Sequence, residues 1–333
     1  MKYRLCLFLG MIQSGLSTTL IADKFQPYLF PSLPLEVQQE HIKKVKNEIN
    51  HRWNHLINLK SDFALYHKKT KSEIAAEFAK IEKLRLSLWY RDAQSLPRIS
   101  HQNYILSQSL LESGRFRSIN NVAFEYNNTD KHYNASTILI QGLHFIALQE
   151  PSEDILNSFH KLLLNERVSA LVRLKPQSEF NKKGSVKYWE NNLSQDGKNT
   201  LLKLTIQGPI KPIEPSFITY FYTESWEDDK GIEVEELYRL VKDVQKTHQA
   251  LQNKGPIAVH CASGVGRTGT FIAAFALANL LDQGVDPHNI SIEEVVLKLA
   301  VQRPNMVATP DQYQVLYDFM DYYFSRKSTE FKA

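Results

Sequence analysis

A cysteine and an arginine lie six positions apart in the segment from His260 to Thr268, which reads His-Cys-Ala-Ser-Gly-Val-Gly-Arg-Thr. The cysteine is Cys261 and the arginine is Arg267. A thiolate is a strong nucleophile, and the planar guanidinium of an arginine can hold two oxygens of a phosphate at once. The pair therefore predicts a covalent reaction at phosphorus, with Cys261 as the nucleophile and Arg267 as the group that binds phosphate oxygens.

The chain around these residues is predicted to pass from a strand through a loop into a helix. Ile257–His260 is a short apolar strand, and Gly269–Leu281 is apolar enough for a buried helix. Backbone N–H groups at the start of such a helix converge where its dipole is positive, and this arrangement binds anions and favours a thiolate over a thiol. The glycines of the loop permit a tight, partly left-handed backbone. The residues assigned to this cradle are Ala262, Ser263, Gly264, Val265 and Gly266.

Composition and charge leave room for a large domain and exclude several classes of protein. The chain has 333 residues and a formal net charge of +4, from 40 basic and 36 acidic side chains. So small an excess does not indicate nucleic-acid binding, and the chain has neither zinc-finger spacing nor an aromatic-and-basic stripe. The two cysteines, Cys6 and Cys261, do not predict a disulfide framework.

The first residues have features of a secretory signal peptide. A basic start precedes the apolar stretch from Leu5 to Ile12, which is far shorter than the roughly 20 residues of a membrane-spanning helix. Leu20 stands where a small residue is expected before cleavage at Ala22. Two alternatives stay open: a leader over residues 1–22 with secretion or export, or an ordinary N-terminal element of a cytoplasmic protein. No transmembrane span is predicted.

Helices are predicted first along the chain, and mixed elements follow. Apolar residues three to five positions apart predict helices from Leu35 to about Leu59 and from Ser72 to Trp89. The first lies in a helical extension over residues 23–70, which either packs on its own domain or binds a partner. Alternating elements then predict an α+β domain over residues 71–330. Its strands are predicted at Ser136–Ile140, Phe145–Leu148, Ala170–Leu174, Asn199–Gln207 and Ile218–Thr223, and its other helices at Ile155–Asn165, Val234–Leu251, Ile292–Val301 and Pro310–Phe324.

The segment around Cys261 resembles the signature loop of the classical (tyrosine-specific) protein tyrosine phosphatases. That family usually has Ser-Ala after the cysteine, where this chain has Ala262-Ser263. The resemblance implies a twisted mixed β-sheet flanked by helices, an α/β-type phosphatase fold. It implies hydrolysis of phosphotyrosine in proteins through a phospho-cysteine, with His260 and Thr268 in supporting roles. Neither a cofactor nor a metal is expected, because Arg267 and the amide cradle supply the positive field.

The resemblance also implies a general acid, since a thiolate alone cannot expel a phenolate. In this family the acid is an aspartate that follows a tryptophan and a proline on a mobile loop. This chain reads Trp226-Glu227-Asp228-Asp229, with Glu227 in place of the proline. Asp228 is therefore expected to be the acid and Trp226 the anchor of the loop, and Asp229 remains a rival.

Two further segments resemble the substrate-recognition and water-positioning loops of the family. Phe116 stands where a tyrosine stacks on the phosphotyrosine ring, and stacking needs no hydroxyl. In the last motif Ala308 replaces the first of two glutamines, and Gln312 is the second. The resemblance therefore implies either slower hydrolysis of the phospho-cysteine or a water held by Gln312.

Two alternatives to a tyrosine-specific enzyme stay open. A phosphoinositide or dual-specificity phosphatase would use the same mechanism, although phosphoinositide enzymes tend to carry lysines in this loop and Ala262, Ser263 and Val265 are uncharged. A phosphotyrosine-binding pseudophosphatase would fit Ala308 and the altered loop at Trp226. The expected partner is a phosphotyrosine-containing protein, beside a partner of the N-terminal helices if those form an arm.

Overall fold

The computed structural model describes most of the chain, with several gaps. The described residues are 35–60, 62–95, 128–130, 133–179, 186–188, 200–204, 216–250 and 255–330. The predicted leader at residues 1–22 and the candidate substrate-binding residue Phe116 lie outside these ranges.

A mixed β-sheet forms the centre of the described structure. Its strands are β1 (Asn128–Asp130), β2 (Tyr133–Ile140), β3 (Leu143–Leu148), β4 (Ala170–Arg173), β5 (Thr200–Leu204), β6 (Ser216–Tyr222) and β7 (Ile257–His260). The order across the sheet is β1-β2-β3-β7-β4-β6-β5. The four inner strands β3, β7, β4 and β6 are parallel, and the outer strands pair antiparallel. Strand β7, which carries Cys261 at its carboxyl end, therefore lies between two parallel neighbours near the middle of the sheet.

Helices lie on both faces of this sheet. They are α1 (Leu35–Leu59), α2 (Lys71–Ser95), α3 (Leu156–Asn165), α4 (Val234–Ala250), α5 (Gly266–Asp282), α6 (Ile292–Ala300) and α7 (Pro310–Glu330), with 3-10 turns at Glu153–Ile155, Gln177–Glu179 and Pro287–Asn289. None of the helices among the described residues is long and apolar enough to cross a membrane. The predicted α+β fold with a mixed sheet flanked by helices is confirmed.

Alternating side chains of the central strands divide the core into two layers. Phe145 and Ala147 of β3 join the larger apolar cluster, built mainly by α2, α4, α5, α6 and α7, whereas Ile146 and Leu148 join a smaller cluster around α3. All four residues are fully buried, which is why β3 reads as a continuous apolar run rather than an alternating one.

The N-terminal helices are packed on the rest of the described structure. Leu56 of α1 is fully buried in the larger cluster. Past the end of α1, Lys60 Nζ lies 2.5 Å from Glu293 Oε1, and Tyr66 N donates to Ile290 O at 2.6 Å. The hydroxyl of Tyr66 also donates to Asp321 on α7. These contacts anchor the chain between α1 and α2 to α6 and α7.

His144, at the start of β3, makes a pH dependence of stability expected. Burial, together with the positive charges of His41 and Lys46 on α1, lowers the pKa of His144 to about 4. An unfolded histidine takes up a proton near pH 6.5. The contribution of His144 to the free energy of unfolding is therefore complete above that pH and is lost as the pH falls towards about 4. The loss is roughly 2 kcal/mol between pH 7 and pH 5.

Replacing this imidazole by a ring that does not titrate tests the assignment. Urea denaturation of His144→Phe at several pH values is expected to show a smaller loss of unfolding free energy below pH 7 than wild type shows. His51→Gln, on the exposed side of α1, is the matched control and should follow wild type. Equal slopes for His144→Phe and wild type would refute the prediction.

Candidate active site

The loop between β7 and α5 uses its two glycines for different reasons. Gly264 has φ +72°, and a Cβ there would lie 2.2 Å from the carbonyl oxygen of Leu148. Gly266 is the first residue of α5 and does not have a positive φ. A Cβ on Gly266 would instead lie 2.8 Å from Oε1 of Gln312. The expected partly left-handed backbone is therefore confirmed at Gly264, whereas Gly266 is glycine because another side chain packs against it.

Cys261 lies at a cleft formed by this loop and two others. The thiol is free, and the residue is 3% exposed. The cavity has a volume of about 440 Å³. Its lining residues come from the signature loop, the loop after Trp226 and the segment before α7: Asp228, Asp229, Cys261, Ser263, Val265, Gly266, Asn305 and Ala308.

Three carbonyl groups of the signature loop are bound by residues that do not line the cleft. Arg303, fully buried, donates from Nε to Gly264 O at 2.8 Å and from Nη2 to Ser263 O at 3.1 Å. The backbone N–H of Glu150 donates to Ala262 O at 2.9 Å. In a trans peptide the C=O and the following N–H point in opposite directions. The N–H groups after these carbonyls are therefore directed away from Arg303 and Glu150, as an anion cradle requires.

Arg303 is a functional residue that sequence reasoning missed. Burial lowers its pKa to about 10, although the charges of Cys261 and Tyr133 oppose that effect. Its remaining group, Nη1, donates to Ser136 Oγ at 2.9 Å. A buried arginine needs several acceptors, but nothing in the sequence indicates that two of these would be carbonyls of the signature loop.

The guanidinium of Arg267 is held by a carboxylate and a carbonyl. Nη1 and Nη2 each lie 3.1 Å from one oxygen of Glu179, so the pair is bidentate, and Nη1 also donates to Trp226 O at 2.7 Å. Burial by itself would lower the pKa of Arg267, but the negative charges of Cys261, Glu179 and Asp228 raise it above its ordinary value. Arg267 therefore stays charged beside Cys261.

Two buried donors of the site have no partner among the described residues. They are Nε of Arg267 and Oγ1 of Thr268, at the first turn of α5. Buried polar atoms are nearly always hydrogen-bonded, so an unpartnered pair next to a nucleophile indicates a place for a ligand that accepts hydrogen bonds.

The loop after Trp226 brings one of the two candidate acids to Arg267. Trp226 is fully buried and donates from Nε1 to Lys230 O at 2.9 Å, which closes the loop on itself. Asp228 Oδ1 lies 2.8 Å from Arg267 Nη2, while half of the Asp228 side chain remains exposed. Asp229 also lines the cleft, but its backbone is left-handed, with φ +59°. Its carbonyl oxygen accepts a hydrogen bond from the hydroxyl of Thr309 at 3.3 Å.

Glu179 is the second residue that the sequence did not single out. Besides binding Arg267, its Oε1 accepts the backbone N–H of Asp228 at 3.1 Å. One carboxylate therefore orients both the phosphate-binding arginine and the loop of the candidate acid. The only available signal was general, because a buried arginine calls for a carboxylate partner, and the chain has 36 acidic residues to choose from.

The remaining candidates are placed as follows. His260 is fully buried, and its Nε2 hydrogen-bonds the hydroxyl of Tyr188 while its Nδ1 lies 3.0 Å from Cys261 O. Gln312 is 1% exposed, and its Oε1 accepts the backbone N–H of Ala308 at 2.9 Å. The amide of Gln312 therefore borders both Gly266 and the residue that stands in the position of the missing glutamine.

The fold is a mixed sheet, and Cys261 and Arg267 lie in the loop that follows one of its inner strands. Asp228 contacts Arg267 from another loop. This combination is typical of a cysteine-dependent phosphatase. The family model described as "Protein-tyrosine phosphatase" matches residues 117–322, well over half of the chain. The chain belongs to this family. The match begins one residue after Phe116.

Similar proteins carry tyrosine-phosphatase names. The chain is 29% identical to rat receptor-type tyrosine-protein phosphatase R over 198 residues, 56% of this chain and 29% of that protein. It is 30% identical to human tyrosine-protein phosphatase non-receptor type 7 over 194 residues, 54% of this chain and 52% of that protein. The chain thus spans less than a third of the first and about half of the second.

Solved structures of the same fold include the catalytic domain of human protein tyrosine phosphatase non-receptor type 18. That structure has a TM-score of 0.60 and 21% identity, over 76% of this chain and 96% of that chain. The same phosphatase in complex with HER2 phosphopeptides gives a TM-score of 0.59 and 20% identity, over 75% and 92% of the two chains. At this identity the likeness concerns the fold.

Proposed function

We propose that the chain hydrolyses phosphotyrosine in proteins through a phospho-cysteine formed on Cys261. The observation that carries this proposal is a pair of buried donors, Arg267 Nε and Thr268 Oγ1, that have no partner among the described residues and lie in the first turn of the helix that follows that thiol. A phosphoryl group bound in front of Cys261 would bring acceptor oxygens to a site that already holds a fixed guanidinium.

In the first step the sulfur of Cys261 attacks phosphorus, and the bond from phosphorus to the tyrosyl oxygen breaks. Asp228 gives its proton to that oxygen, so tyrosine leaves as a neutral phenol. Arg267 and the loop N–H groups stabilise the charge on the three other phosphoryl oxygens. An incoming phosphate dianion also competes with Asp228 for Arg267, which frees the carboxyl group to turn towards the tyrosyl oxygen.

In the second step water attacks the phospho-cysteine, and the sulfur–phosphorus bond breaks. The Asp228 carboxylate accepts a proton from the water, and Cys261 leaves as a thiolate. The hydroxyl of Thr268, which has no partner among the described residues, is a candidate to donate a hydrogen bond to that sulfur. Ala308 has no polar side chain, so the amide of Gln312 is the group beside the cradle that is suited to hold the water.

Tyrosine specificity is favoured over the alternatives by the relatives' names and by the uncharged loop. The structure of the human non-receptor type 18 enzyme with phosphopeptides supports a peptide substrate. An interaction role for residues 23–70 has less support, because the contacts of Leu56, Lys60 and Tyr66 are made with this chain's own core.

The test compares three substrates and two cysteine variants. The purified chain is incubated with a phosphotyrosine peptide, a phosphoserine peptide and a phosphoinositide, and phosphate release is measured. We expect release from the phosphotyrosine peptide, none after Cys261→Ser, and wild-type release after Cys6→Ser, the matched control. Release from the lipid alone, or from all three substrates, would overturn tyrosine specificity. Binding of the phosphotyrosine peptide without release would indicate a pseudophosphatase.

A further inference from the structure

An arginine of the N-terminal helix α2 reaches the segment that forms one side of the cleft. Arg85 is 8% exposed. Its Nη1 donates to Val307 O at 2.9 Å, and its Nη2 donates to Met306 O. Glu82 Oε1, one turn earlier on α2, lies 2.5 Å from Nη1, and the guanidinium carbon lies 5.6 Å from the centre of the Phe78 ring. Arg85 thus binds two consecutive carbonyls more than two hundred positions away in the chain.

The segment that Arg85 binds has an unfavourable backbone. Asn305 has φ +57° and Val307 has φ +61°. Asparagine tolerates this region, but a β-branched residue there is an outlier that costs about 1–3 kcal/mol and persists only when its surroundings enforce it. On one side, the two hydrogen bonds from Arg85 hold this backbone conformation in place. On the other side lies Gly269, where a Cβ would be 2.4 Å from Val307 N.

This strained segment connects directly to the catalytic cleft. Asn305 and Ala308 line the cavity, and the residues between them are fully buried. Val307 N lies 3.4 Å from Val265 O in the signature loop. Ala308 N is bound to Gln312 Oε1, so the placement of the carboxamide depends on the conformation at Val307.

We propose that Arg85 is a positioning residue that holds the segment from Asn305 to Ala308, and through it the Gln312 amide, in place for hydrolysis of the phospho-cysteine. The proposal rests on the proposed function, since it concerns the second step of that reaction. Arg85 lies outside the cleft and touches neither Cys261 nor Arg267. The first step, which depends on Cys261, Arg267 and Asp228, should therefore proceed without it.

The test separates the two steps by stopped-flow kinetics with an aryl phosphate. Phenol release before the steady state reports formation of the phospho-cysteine, and the steady-state rate reports its hydrolysis once that step limits turnover. For Arg85→Met we expect a burst of phenol with a rate constant within about threefold of wild type. The steady-state rate should fall at least about tenfold. A misplacement of a catalytic group by about 1 Å can lower a rate roughly hundredfold, which sets the upper end of the expected fall. Arg85→Lys, which keeps the charge but has no fork, should show a smaller fall in the same step.

Two control variants distinguish positioning from general damage to α2. Glu82→Gln leaves both carbonyl bonds of Arg85 possible and should retain wild-type kinetics. Lys69→Met removes a different contact that holds α2 against α7, the one to Glu77 and Tyr317, without touching residues 305–308. It should lower the melting temperature and leave the ratio of burst to steady-state rates unchanged.

These experiments test the role of Arg85 separately from the phosphatase activity. The role of Arg85 would be overturned by a wild-type steady-state rate in Arg85→Met, or by an equal fall in the rates of both steps. It would also be overturned if Lys69→Met showed the same kinetics as Arg85→Met. None of these results would contradict the phosphatase activity itself. Absence of phenol release from wild type would overturn both proposals. If Arg85→Met does not fold, Arg85→Lys decides instead, and its fall, although smaller, must lie in the steady-state rate and not in the burst.

Discussion

Arg267→Lys is expected to lower kcat/KM for a phosphotyrosine peptide by roughly 10³-fold. Lysine keeps the positive charge but loses the planar fork. In the native site that fork binds both oxygens of Glu179 and the carbonyl of Trp226, and Nε remains for a ligand. The three donors of an ammonium cannot bind both oxygens of Glu179, the carbonyl of Trp226 and a phosphoryl oxygen at once. The measurement is steady-state kinetics on purified variants with equal far-ultraviolet circular dichroism.

The matched control is the same substitution at another buried arginine. Arg173 on β4 is fully buried and donates to Tyr220 Oη at 2.7 Å, to Lys175 O and to Glu224, none of which lines the cleft. Arg173→Lys should lower the melting temperature and leave kcat/KM within about threefold of wild type. Activity in Arg267→Lys equal to that of Arg173→Lys would contradict the assigned role of Arg267.

Asp228→Ala is expected to lower kcat for a phosphotyrosine peptide by about 10²–10⁴-fold, the usual contribution of a general acid. Of the two adjacent aspartates, Asp228 is the one whose carboxylate the described structure places on Arg267, and half of its side chain is exposed. The loss in kcat/KM, which reports the first step alone, should be much smaller for an aryl phosphate whose phenol is more acidic, because such a leaving group needs little protonation. Comparing kcat/KM for the two substrates measures this difference.

Asp229→Ala is the natural comparison, since both aspartates line the cleft and are adjacent in sequence. We expect it to lower kcat less than about tenfold and to show no dependence on the leaving group. Asp228→Asn tests whether the acid itself matters, because it keeps a group of similar shape beside Arg267 and cannot donate the proton. If Asp229→Ala rather than Asp228→Ala shows the large, leaving-group-dependent loss, then Asp229 is the acid.

Much of the fold could be predicted because its signals are local. The strand at Ile257–His260 and the helix from Leu35 to Leu59 agree with β7 and α1 at both ends, since each has an uninterrupted apolar pattern. The start of α5 did not agree: the helix begins at Gly266 rather than Gly269. Its N-cap position, Val265, makes no side-chain capping bond. The loop, rather than a capping residue that sequence reveals, decides where this helix starts.

What the sequence alone determined about this protein is the cradle itself. Cys261, Arg267 and the residues between them are neighbours in the chain, so a strand before them and a helix after them are enough to bring them to one point. Only the tertiary structure decided which groups hold that cradle in place. Glu179, Arg303 and Arg85 come from distant parts of the chain. Partners of buried charges are chosen by the packing of the whole fold, and the local pattern around a charged residue does not reveal them.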